Sequence, residues 1–266
     1  MKKQRERNCT MLLIERYGTS LIISINRPEA GNSINGSVAK DFEEAIVQAA
    51  GDEILCCVII TGSGDKFFCA GGDIKEYRSV KHRDQLDAVM GCTRRALSGL
   101  EALDIPVIMA INGYCLGGGF EMMLAGDIRI ASATATFALP QVRLGIIPGW
   151  HGIERLVQLV GRGMAVILAA GGETIDAKKA QQIGLVDEVV VECSVLERAL
   201  EIGADFGKAA PLSLKAVKKV ARAAEGKKIE QSEDIFAELW FSADHREAEA
   251  AFAEKRQAHF EAQQTK

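Results

Sequence analysis

A short glycine run beside a single carboxylate is the feature of this sequence that most clearly suggests chemistry. Glycines 117–119 precede Glu121, and an apolar run begins at Met122. Because glycine has no Cβ, a helix beginning here would leave backbone N–H groups that a ligand oxygen can approach. Glu121 falls in the first helical turn, within reach of a carbon bonded to that oxygen. The spacing indicates chemistry on a carbonyl, although close helix–sheet packing is the other common use of such a run.

A second glycine turn follows the apolar, strand-like run 58–61. Gly71 and Gly72 come just before Asp73, and Glu76 lies three residues further along, a spacing that predicts a helix N-cap with a capping box. Each glycine turn would end a buried strand and open a helix, so that two N–H donors could converge on one developing negative oxygen. The two segments together predict an oxyanion hole.

These two turns belong to a set of segments that resembles the crotonase superfamily, the enoyl-CoA hydratase/isomerase proteins, over nearly the whole chain. The other matching segments, in the order of the family, are 26–30, 105–113, 127–131, 144–149, 180–186 and 252–256. Any one of them is a loose match. Their shared order is specific for the family, though not for one reaction within it.

The resemblance implies an α/β fold, a crotonase-like spiral of ββα units with a C-terminal helical oligomerisation region. Residues 1–192 would form the core with the acyl-CoA site, and residues 193–266 would mediate trimerisation and complete part of the CoA pocket. In this family the C-terminal helices pack between subunits, so the implied assembly is a homotrimer or a dimer of trimers. The apolar stretch 236–241 is consistent with such packing.

The same resemblance implies roles for individual residues. The N–H groups of Gly72 and Gly118 would bind the thioester oxygen of an acyl-CoA, and Glu121 matches one of two glutamates with which hydratases hold and activate water. A loop at Glu29 and Ala30 would hold the CoA moiety mostly through backbone atoms. The substrate- and CoA-binding residues expected in all are Glu29, Ala30, Ala70, Asp73, Ile74, Gly117, Pro140, Gly149, Trp150 and His151. No metal is expected, and no cofactor other than the CoA carried by the substrate.

The second glutamate of the family pattern is absent. It follows a proline, and in this chain Gln141 follows Pro140. A glutamine cannot deliver a proton, although its amide can orient water or substrate. Because general acid–base help contributes roughly 100- to 10,000-fold in rate, reactions that need one carboxylate become competitive. We interpret the chain as a hydratase-type lyase acting on a 2-enoyl-CoA through Glu121. A double-bond isomerase, an acyl-CoA decarboxylase and a non-catalytic acyl-CoA-binding protein remain alternatives.

Trp150 and His151 occupy a loop where the family usually carries small residues. They follow Pro148 and precede the apolar run 153–160, so they are expected at the rim of the active site. A tryptophan and an imidazole there would shape the pocket, and an imidazole pKa near 6.5 suits proton transfer. The alternative is that both side chains face outward or pack against a neighbouring subunit.

Composition sets the remaining limits. The chain has 266 residues, 48% of them hydrophobic, and a formal net charge of −4, which provides no basic field for nucleic acid. Its glycine turns fit neither the P-loop nor the dinucleotide-binding pattern. Seven cysteines without CxxC spacing favour buried free thiols in a reducing compartment, with Cys69 and Cys115 beside the two glycine turns. With no leader-like segment and no apolar span of 18 residues, we expect a cytoplasmic protein without a membrane helix.

Hydrophobic periodicity gives the order of the elements that must position these residues. It predicts strands 11–15 and 20–26 joined at Gly18, helix 37–50, strand 55–61, helix 85–103, strand 107–111, the helix that carries Glu121, and strand 128–131. Four helices are expected after residue 193, at 195–207, 212–224, 229–241 and 246–260.

Overall fold

The computed structural model has two sheets and helices on both sides of the larger one, and it describes residues 11–77, 80–191, 194–225, 236, 238, 240 and 242–260. The strands are β1 (Leu12–Tyr17), β2 (Ser20–Ile25), β3 (Cys57–Gly62), β4 (Phe67–Cys69), β5 (Val107–Ile111), β6 (Tyr114–Leu116), β7 (Ile128–Ser132), β8 (Thr136–Ala138), β9 (Ile175–Asp176) and β10 (Glu188–Val190). The helices are α1 (Gly36–Ala50), α2 (Ile74–Tyr77), α3 (Arg83–Ala102), α4 (Gly118–Met123), α5 (Gly152–Gly171), α6 (Ala177–Gln182), α7 (Val195–Phe206), α8 (Pro211–Glu225) and α9 (Ala243–Glu254), with 3-10 turns at Pro28–Ala30 and Pro140–Leu144.

From β3 to β8, successive strands alternate between the two sheets. The larger sheet has the order β1-β2-β3-β5-β7-β10, and the smaller one has the order β4-β6-β8-β9. The pairs β3–β4, β5–β6 and β7–β8 each give one strand to each sheet before the chain enters a helix. Apart from the antiparallel pairs β1–β2 and β8–β9, neighbouring strands run parallel. The architecture is therefore an α/β fold with repeated strand–strand–helix units.

The central strands of the larger sheet, β3 and β5, are buried on both faces, as strands of parallel sheets usually are, whereas edge strand β1 is exposed beyond Leu12. On β3, Val58 and Ile60 belong to the main core, where helices α1 and α3 pack, whereas Cys57 and Ile59 belong to a second cluster. Residues of α7, among them Ala199, cover that second face. Strand β3 is therefore apolar along nearly its whole length because each of its faces packs against different helices.

Helix α7 is therefore part of the packing of the core. A Cβ placed on Gly203 of α7 would lie 2.4 Å from the Ser20 hydroxyl on β2, so this helix rests directly on the sheet. The predicted boundary between a core and a C-terminal helical region at residue 193 stays an interpretation. Helix α7 follows this boundary in sequence but packs into the core formed by the earlier strands.

The long elements lie where periodicity placed them, within a few residues, except the last helix, predicted at 246–260, which begins at Ala243 and ends at Glu254. Helix 229–241 falls mostly outside the described residues. The predicted N-cap at Asp73 is confirmed, but the capping box is wrong, because the Asp73 N–H donates to the carbonyl of Ile34 at 2.8 Å. The Asp73 carboxylate accepts from the N–H of Lys75, but the Glu76 carboxylate accepts from the N–H of Gly36 on a neighbouring helix. Glu76 therefore ties α2 to the start of α1.

Within the described residues, no helix combines the length and the apolar character needed to cross a membrane. Among the same residues, no group of three or more His, Cys, Asp or Glu side chains is placed to hold a metal ion.

Candidate active site

Three neighbouring strands of the smaller sheet end at the candidate site. Strands β4, β6 and β8 run parallel, and Gly72, Gly118 and Gln141 follow their respective ends by two or three residues. The carboxyl ends of parallel strands meet at one edge of a sheet, so the fold gathers residues that are far apart in sequence. The N–H of Gly117 donates to the carbonyl of Ala138 at 2.9 Å and fixes two of these turns against each other.

The N–H groups of Gly72 and Gly118 both remain available. Gly118 is the first residue of α4, whose first internal bond runs from the Glu121 N–H to the Gly117 carbonyl, and the hydrogen bonds of the described residues include none donated by either glycine N–H. The two turns touch, because a Cβ built on Gly71 would lie 2.8 Å from the Gly118 nitrogen. Two free donors therefore lie in adjacent turns at the start of two helices.

An aromatic ring covers each of these two glycines. A Cβ on Gly72 would lie 2.3 Å from Tyr77 Cε2, and a Cβ on Gly118 would lie 2.3 Å from Trp150 Cζ3. Real Cβ atoms do not approach other atoms so closely. The neighbouring rings thus leave no room for a side chain at either position.

The Glu121 carboxylate lies at the centre of the site, buried at 2% exposure. Its Oε1 accepts from the N–H of Gly149 at 3.1 Å and from Nε2 of Gln141 at 3.2 Å. Its Oε2 accepts from the N–H groups of Trp150 at 2.6 Å and Gly152 at 3.1 Å. The four bonds fill the roughly four acceptor positions of a carboxylate and hold its orientation.

Burial has the largest effect on the pKa of the Glu121 carboxyl group. Removal from water disfavours the charged carboxylate and raises its pKa above the ordinary value of 4.5, while the four hydrogen bonds oppose this effect. A carboxyl group with a raised pKa holds its proton more readily, which suits a group that must take and return one proton.

Gln141 is buried at 8% exposure, and its side chain forms one hydrogen bond among the described residues. Its amide nitrogen donates to Glu121, but its Oε1 has no partner in the described residues. Buried polar atoms without partners are rare, because each costs free energy comparable to a lost hydrogen bond. Since Gln141 lines the pocket next to Glu121, this oxygen is a ready acceptor for a donor on a ligand or a water molecule.

Trp150 and His151 point in different directions. Trp150 is 2% exposed and lines the pocket, whereas the His151 side chain is 53% exposed, lies 3.7 Å from Glu154 and does not line the pocket. His151 adopts a left-handed backbone conformation, with φ of 63°, at the turn into α5. The expectation that both residues shape the pocket therefore holds for Trp150, while His151 faces outward.

The pocket gathers most of the residues predicted for it. Its walls include Ala70, Gly72, Ile74, Gly117, Gly118, Glu121, Pro140, Gln141, Gly149 and Trp150. Glu29, Ala30 and Asp73 do not line it. They lie beside it: the Ala70 N–H donates to the Gly31 carbonyl at 2.9 Å, next to the turn with Glu29 and Ala30, and Asp73 is paired with Arg27 at 3.0 Å. The loop proposed for CoA is thus bonded to the rim at Ala70.

Sequence reasoning missed five wall residues, namely Tyr77, Met90, Leu144, Ile146 and Ile147. Tyr77 lies one helical turn after Ile74, and this spacing could have indicated it. Met90 on α3 is placed by a tertiary contact, since the indole N–H of Trp150 donates to its Sδ at 3.2 Å. No local pattern signals such a contact.

Cys69 and Cys115, beside the two glycine turns, are buried and do not line the pocket. Burial raises the pKa of Cys69 to about 12 and also raises that of Cys115, so both remain thiols at neutral pH. The packing role favoured from sequence fits these surroundings.

Residues 15–263 match the enoyl-CoA hydratase/isomerase family. The chain belongs to this family. It is 36% identical over 250 residues to the short-chain-enoyl-CoA hydratase of Clostridium acetobutylicum, a match that covers 92% of this chain and 95% of the relative. It is 35% identical over 254 residues to the 2,3-dehydroadipyl-CoA hydratase of Escherichia coli, covering 94% and 98% of the two chains.

Comparison with solved structures indicates the same family. The crystal structure of an enoyl-CoA hydratase from Bacillus anthracis superimposes with a TM-score of 0.90 at 31% identity, covering 96% of this chain and 100% of the other. The resemblance to the crotonase superfamily and the crotonase-like α/β fold are thereby confirmed. Within the family, this member combines one pocket carboxylate with an amide at position 141.

Proposed function

We propose that this family member is an acyl-CoA-processing lyase that hydrates a 2-enoyl-CoA thioester, with Glu121 as its acid and base. The observation that carries the proposal is the position of the Glu121 carboxylate, three residues along α4 from the free N–H of Gly118 and in the same pocket as Gly72. Hydration needs a proton acceptor beside donors that stabilise an enolate oxygen, and this pocket contains both.

A single carboxylate can carry out both proton transfers of the hydration. Glu121 takes a proton from water while the water oxygen bonds to C3 of the substrate, and the electrons of the C2=C3 bond move toward the thioester oxygen. The N–H groups of Gly72 and Gly118 stabilise the resulting enolate. Glu121, now protonated, returns the proton to C2, so that the net change is addition of water across the double bond.

Gln141 assists without exchanging protons. Its unpartnered Oε1 can accept a hydrogen bond from the attacking water, and its Nε2 holds Glu121 in place. CoA would lie along the rim formed by Ala70, Ile74 and the turn with Glu29 and Ala30, where Glu29 and Ile74 are exposed. These contacts supply binding energy far from the reacting carbons.

A second candidate rests on Gln141 itself. With one carboxylate, the same pocket could move a proton between C2 and C4 of an enoyl thioester, or stabilise the enolate left by decarboxylation. Neither reaction needs a second proton donor. Both would use the same two N–H donors, so substrate turnover, not structure, separates them from hydration.

The test is a panel of 2-enoyl-, 3-enoyl-, dienoyl- and malonyl-type CoA thioesters, with products followed by mass spectrometry. We expect addition of one water to a 2-enoyl-CoA as the fastest reaction. Faster isomerisation or loss of CO₂ would replace the hydratase assignment with the corresponding one-carboxylate reaction. Binding of the thioesters without turnover of any would identify a non-catalytic acyl-CoA-binding protein.

We also propose a homotrimer or a dimer of trimers in the cytoplasm. Large apolar side chains are exposed at Val166 and Ile167 on α5 and at Phe236 and Trp240 near the C-terminus, which supports burial against another subunit. The five cysteines of the described residues are free, which suits a reducing compartment. Light scattering coupled to size-exclusion chromatography tests the assembly, and a monomeric mass would refute it.

A further inference from the structure

Helix α3 contacts the turn at residues 149–152, which holds the proposed base, through side chains spaced along one face. They are Met90, Arg94 and Glu101. Steps of four and seven residues return to the same side of a helix, so a single face of α3 supplies all of these contacts. Met90 accepts from the indole N–H of Trp150, and Glu101 is paired at 2.6 Å with Arg155, which donates to the Trp150 carbonyl.

The contact made by Arg94 leads directly to the Glu121 carboxylate. Nε of Arg94 donates to the carbonyl of Gly149 at 2.8 Å. That carbonyl belongs to the same peptide group as the N–H of Trp150, which donates to Oε2 of Glu121 at 2.6 Å. This is the shortest of the four hydrogen bonds to Glu121. A guanidinium therefore lies at one end of a peptide group and the proposed base lies at the other.

Such a chain of hydrogen bonds affects the strength of the donor as well as its position. A cation at the carbonyl oxygen polarises the peptide group, and linked hydrogen bonds strengthen one another by roughly 10–30% per bond. Arg155 acts on a different peptide group. It donates to the Trp150 carbonyl, which shares its peptide group with the N–H of His151, and that N–H is not among the four donors to Glu121.

Other charged groups do not replace Arg94 in this arrangement. Among the described residues, no cationic side chain donates directly to Glu121. Tyr77 in the pocket and Cys69 beside α4 stay neutral, because burial raises the pKa of both side chains. The charged or ionisable side chains around the turn lie next to one another: Arg155 with Glu101, Arg94 with Asp87 at 4.0 Å, and the exposed pair His151 and Glu154.

We propose that Arg94 is a positioning residue of the active site, which orients and strengthens the Trp150 N–H so that Glu121 is held in its ionised form at the pocket. The inference rests on the proposed function in taking Glu121 as the reacting group. It goes further by assigning a role in that reaction to a side chain of α3 that does not line the pocket.

Substitutions of Arg94 divide the contact into its parts. Arg94→Gln keeps an N–H donor at the chain position of Nε without the charge, Arg94→Lys keeps the charge, and Arg94→Met removes both. The Arg94 side chain is half-buried at 34% exposure, so these changes leave the core intact. Arg95→Met is the matched control, because Arg95 is the next residue of α3, is exposed and pairs with Glu43 instead.

We expect Arg94→Met to lower kcat about 10-fold while butyryl-CoA binds as in wild type, since a misplacement of about 1 Å costs up to about 100-fold. A weaker donor stabilises the carboxylate less, so the pKa of Glu121 should rise. The acidic limb of kcat/KM should then move upward by about half a pH unit. Arg94→Gln and Arg94→Lys should lie between Arg94→Met and wild type, and Arg95→Met should match wild type.

Infrared titration measures the pKa of Glu121 without turnover, from the carboxyl band that Glu121→Gln removes. A higher pKa in Arg94→Met than in Arg95→Met would support the inference, even if wild type hydrated no 2-enoyl-CoA and the proposed function failed. Equal pKa values in these two variants, both shown to be folded by circular dichroism, would overturn the inference and leave hydration by wild type untouched. If Arg94→Met does not fold, Arg94→Gln, which changes the side chain least, decides by the same comparison.

Discussion

Gln141 Nε2 lies 3.2 Å from Glu121 Oε1 and is the single side-chain donor among the four groups that bond this carboxylate. The other three donors are backbone N–H groups in the turn at residues 149–152, which cannot leave without remodelling the start of α5. A water molecule that is to be deprotonated by Glu121 must therefore replace or share the bond with Gln141. Access of water to the proposed base depends on the conformation of one amide side chain.

The pH dependence of activity follows from the raised pKa of Glu121. The carboxylate is the form that accepts a proton from water, so turnover must fall as pH decreases through the pKa of this group. Because burial raises that pKa in the free enzyme, we expect the acidic limb of kcat/KM above pH 4.5, the ordinary glutamate value. A pH–rate profile for crotonyl-CoA measures it. An acidic limb at or below pH 4.5 would contradict the raised pKa of Glu121, and its persistence in Glu121→Gln would contradict the assignment of Glu121 as base.

Stability should respond to the same group. A carboxyl whose pKa is higher in the folded than in the unfolded state binds its proton more tightly when folded. Its contribution to the free energy of unfolding is complete below about pH 4.5 and is lost as pH rises through the folded-state pKa. We expect urea denaturation of wild type, relative to Glu121→Gln, to show this relative loss with increasing pH. A difference that grows with pH would mean that the hydrogen bonds outweigh burial.

Replacement of the proposed base tests its chemical role. Glu121→Gln removes proton transfer, and we expect kcat to fall by roughly 100-fold or more while butyryl-CoA still binds. The amide also places an NH₂ group against backbone N–H donors, so a moderate loss of stability is expected as well. Glu154→Gln, at an exposed position on α5, is the matched control. Unchanged kcat in Glu121→Gln would eliminate Glu121 as the catalytic carboxylate.

Hydrophobic periodicity was sufficient to predict the long helices and strands, but not the short strands. Val58 to Thr61 and Val107 to Ile111 are apolar runs long enough to predict buried strands, and the structure has both. Strands β4, β6 and β8 have three residues each, too few for a periodic signal. Yet these three strands place Gly72, Gly118 and Gln141 together. The two glycine turns had indicated that their N–H donors converge, whereas the position of Gln141 beside them came from the family resemblance.

The surroundings of Glu121 could not be read from sequence for a different reason. The glycine run and the carboxylate were visible, but the donors at Gly149, Trp150 and Gly152 lie about 30 residues away along the chain. Likewise, His151 has a left-handed backbone and an exposed side chain, and no local propensity predicts this conformation for a histidine. Tertiary contacts decide both features.

Two substitutions at Gly118 distinguish the effect of losing its N–H from the effect of adding a side chain. Gly118→Ala and Gly118→Pro both introduce a Cβ against the Trp150 ring, but only proline removes the N–H. Proline is tolerated at the first position of a helix, so α4 itself loses no internal hydrogen bond. Loss of one oxyanion donor costs about 100- to 1,000-fold in kcat. We expect Gly118→Pro to be slower than Gly118→Ala by about that factor, measured on crotonyl-CoA.

The comparison is valid only for folded proteins, which circular dichroism and thermal unfolding would establish. Because proline also restricts the residue before it, the unusual backbone of Gly117, with φ of 54°, is a possible source of additional loss. Binding of butyryl-CoA to both variants controls for this. Equal kcat for folded Gly118→Ala and Gly118→Pro would rule out the N–H as an oxyanion donor.

The contact between Gln141 and Glu121 makes Gln141→Glu the most informative substitution. It changes the volume little but places two carboxyl groups about as close as the present 3.2 Å contact, where both cannot be ionised easily. One of them should then carry a proton near neutral pH, which provides a separate acid to protonate C2 while the other activates water. We therefore expect crotonyl-CoA hydration to exceed that of wild type, with the acidic limb of its pH profile moved upward.

The same substitution should act in the opposite direction on a reaction that depends on a neutral amide. If the native substrate forms hydrogen bonds with the Gln141 amide, Gln141→Glu removes the amide donor. The added negative charge also repels an anionic transition state. Hydration of crotonyl-CoA and the fastest reaction of the thioester panel are therefore measured together, for wild type, Gln141→Glu and Gln141→Ala. Gln141→Ala removes the amide without adding charge and frees an acceptor site on Glu121. If neither rate differs among the three proteins, Gln141 does not control access to Glu121, and the coupling inferred from their hydrogen bond is wrong.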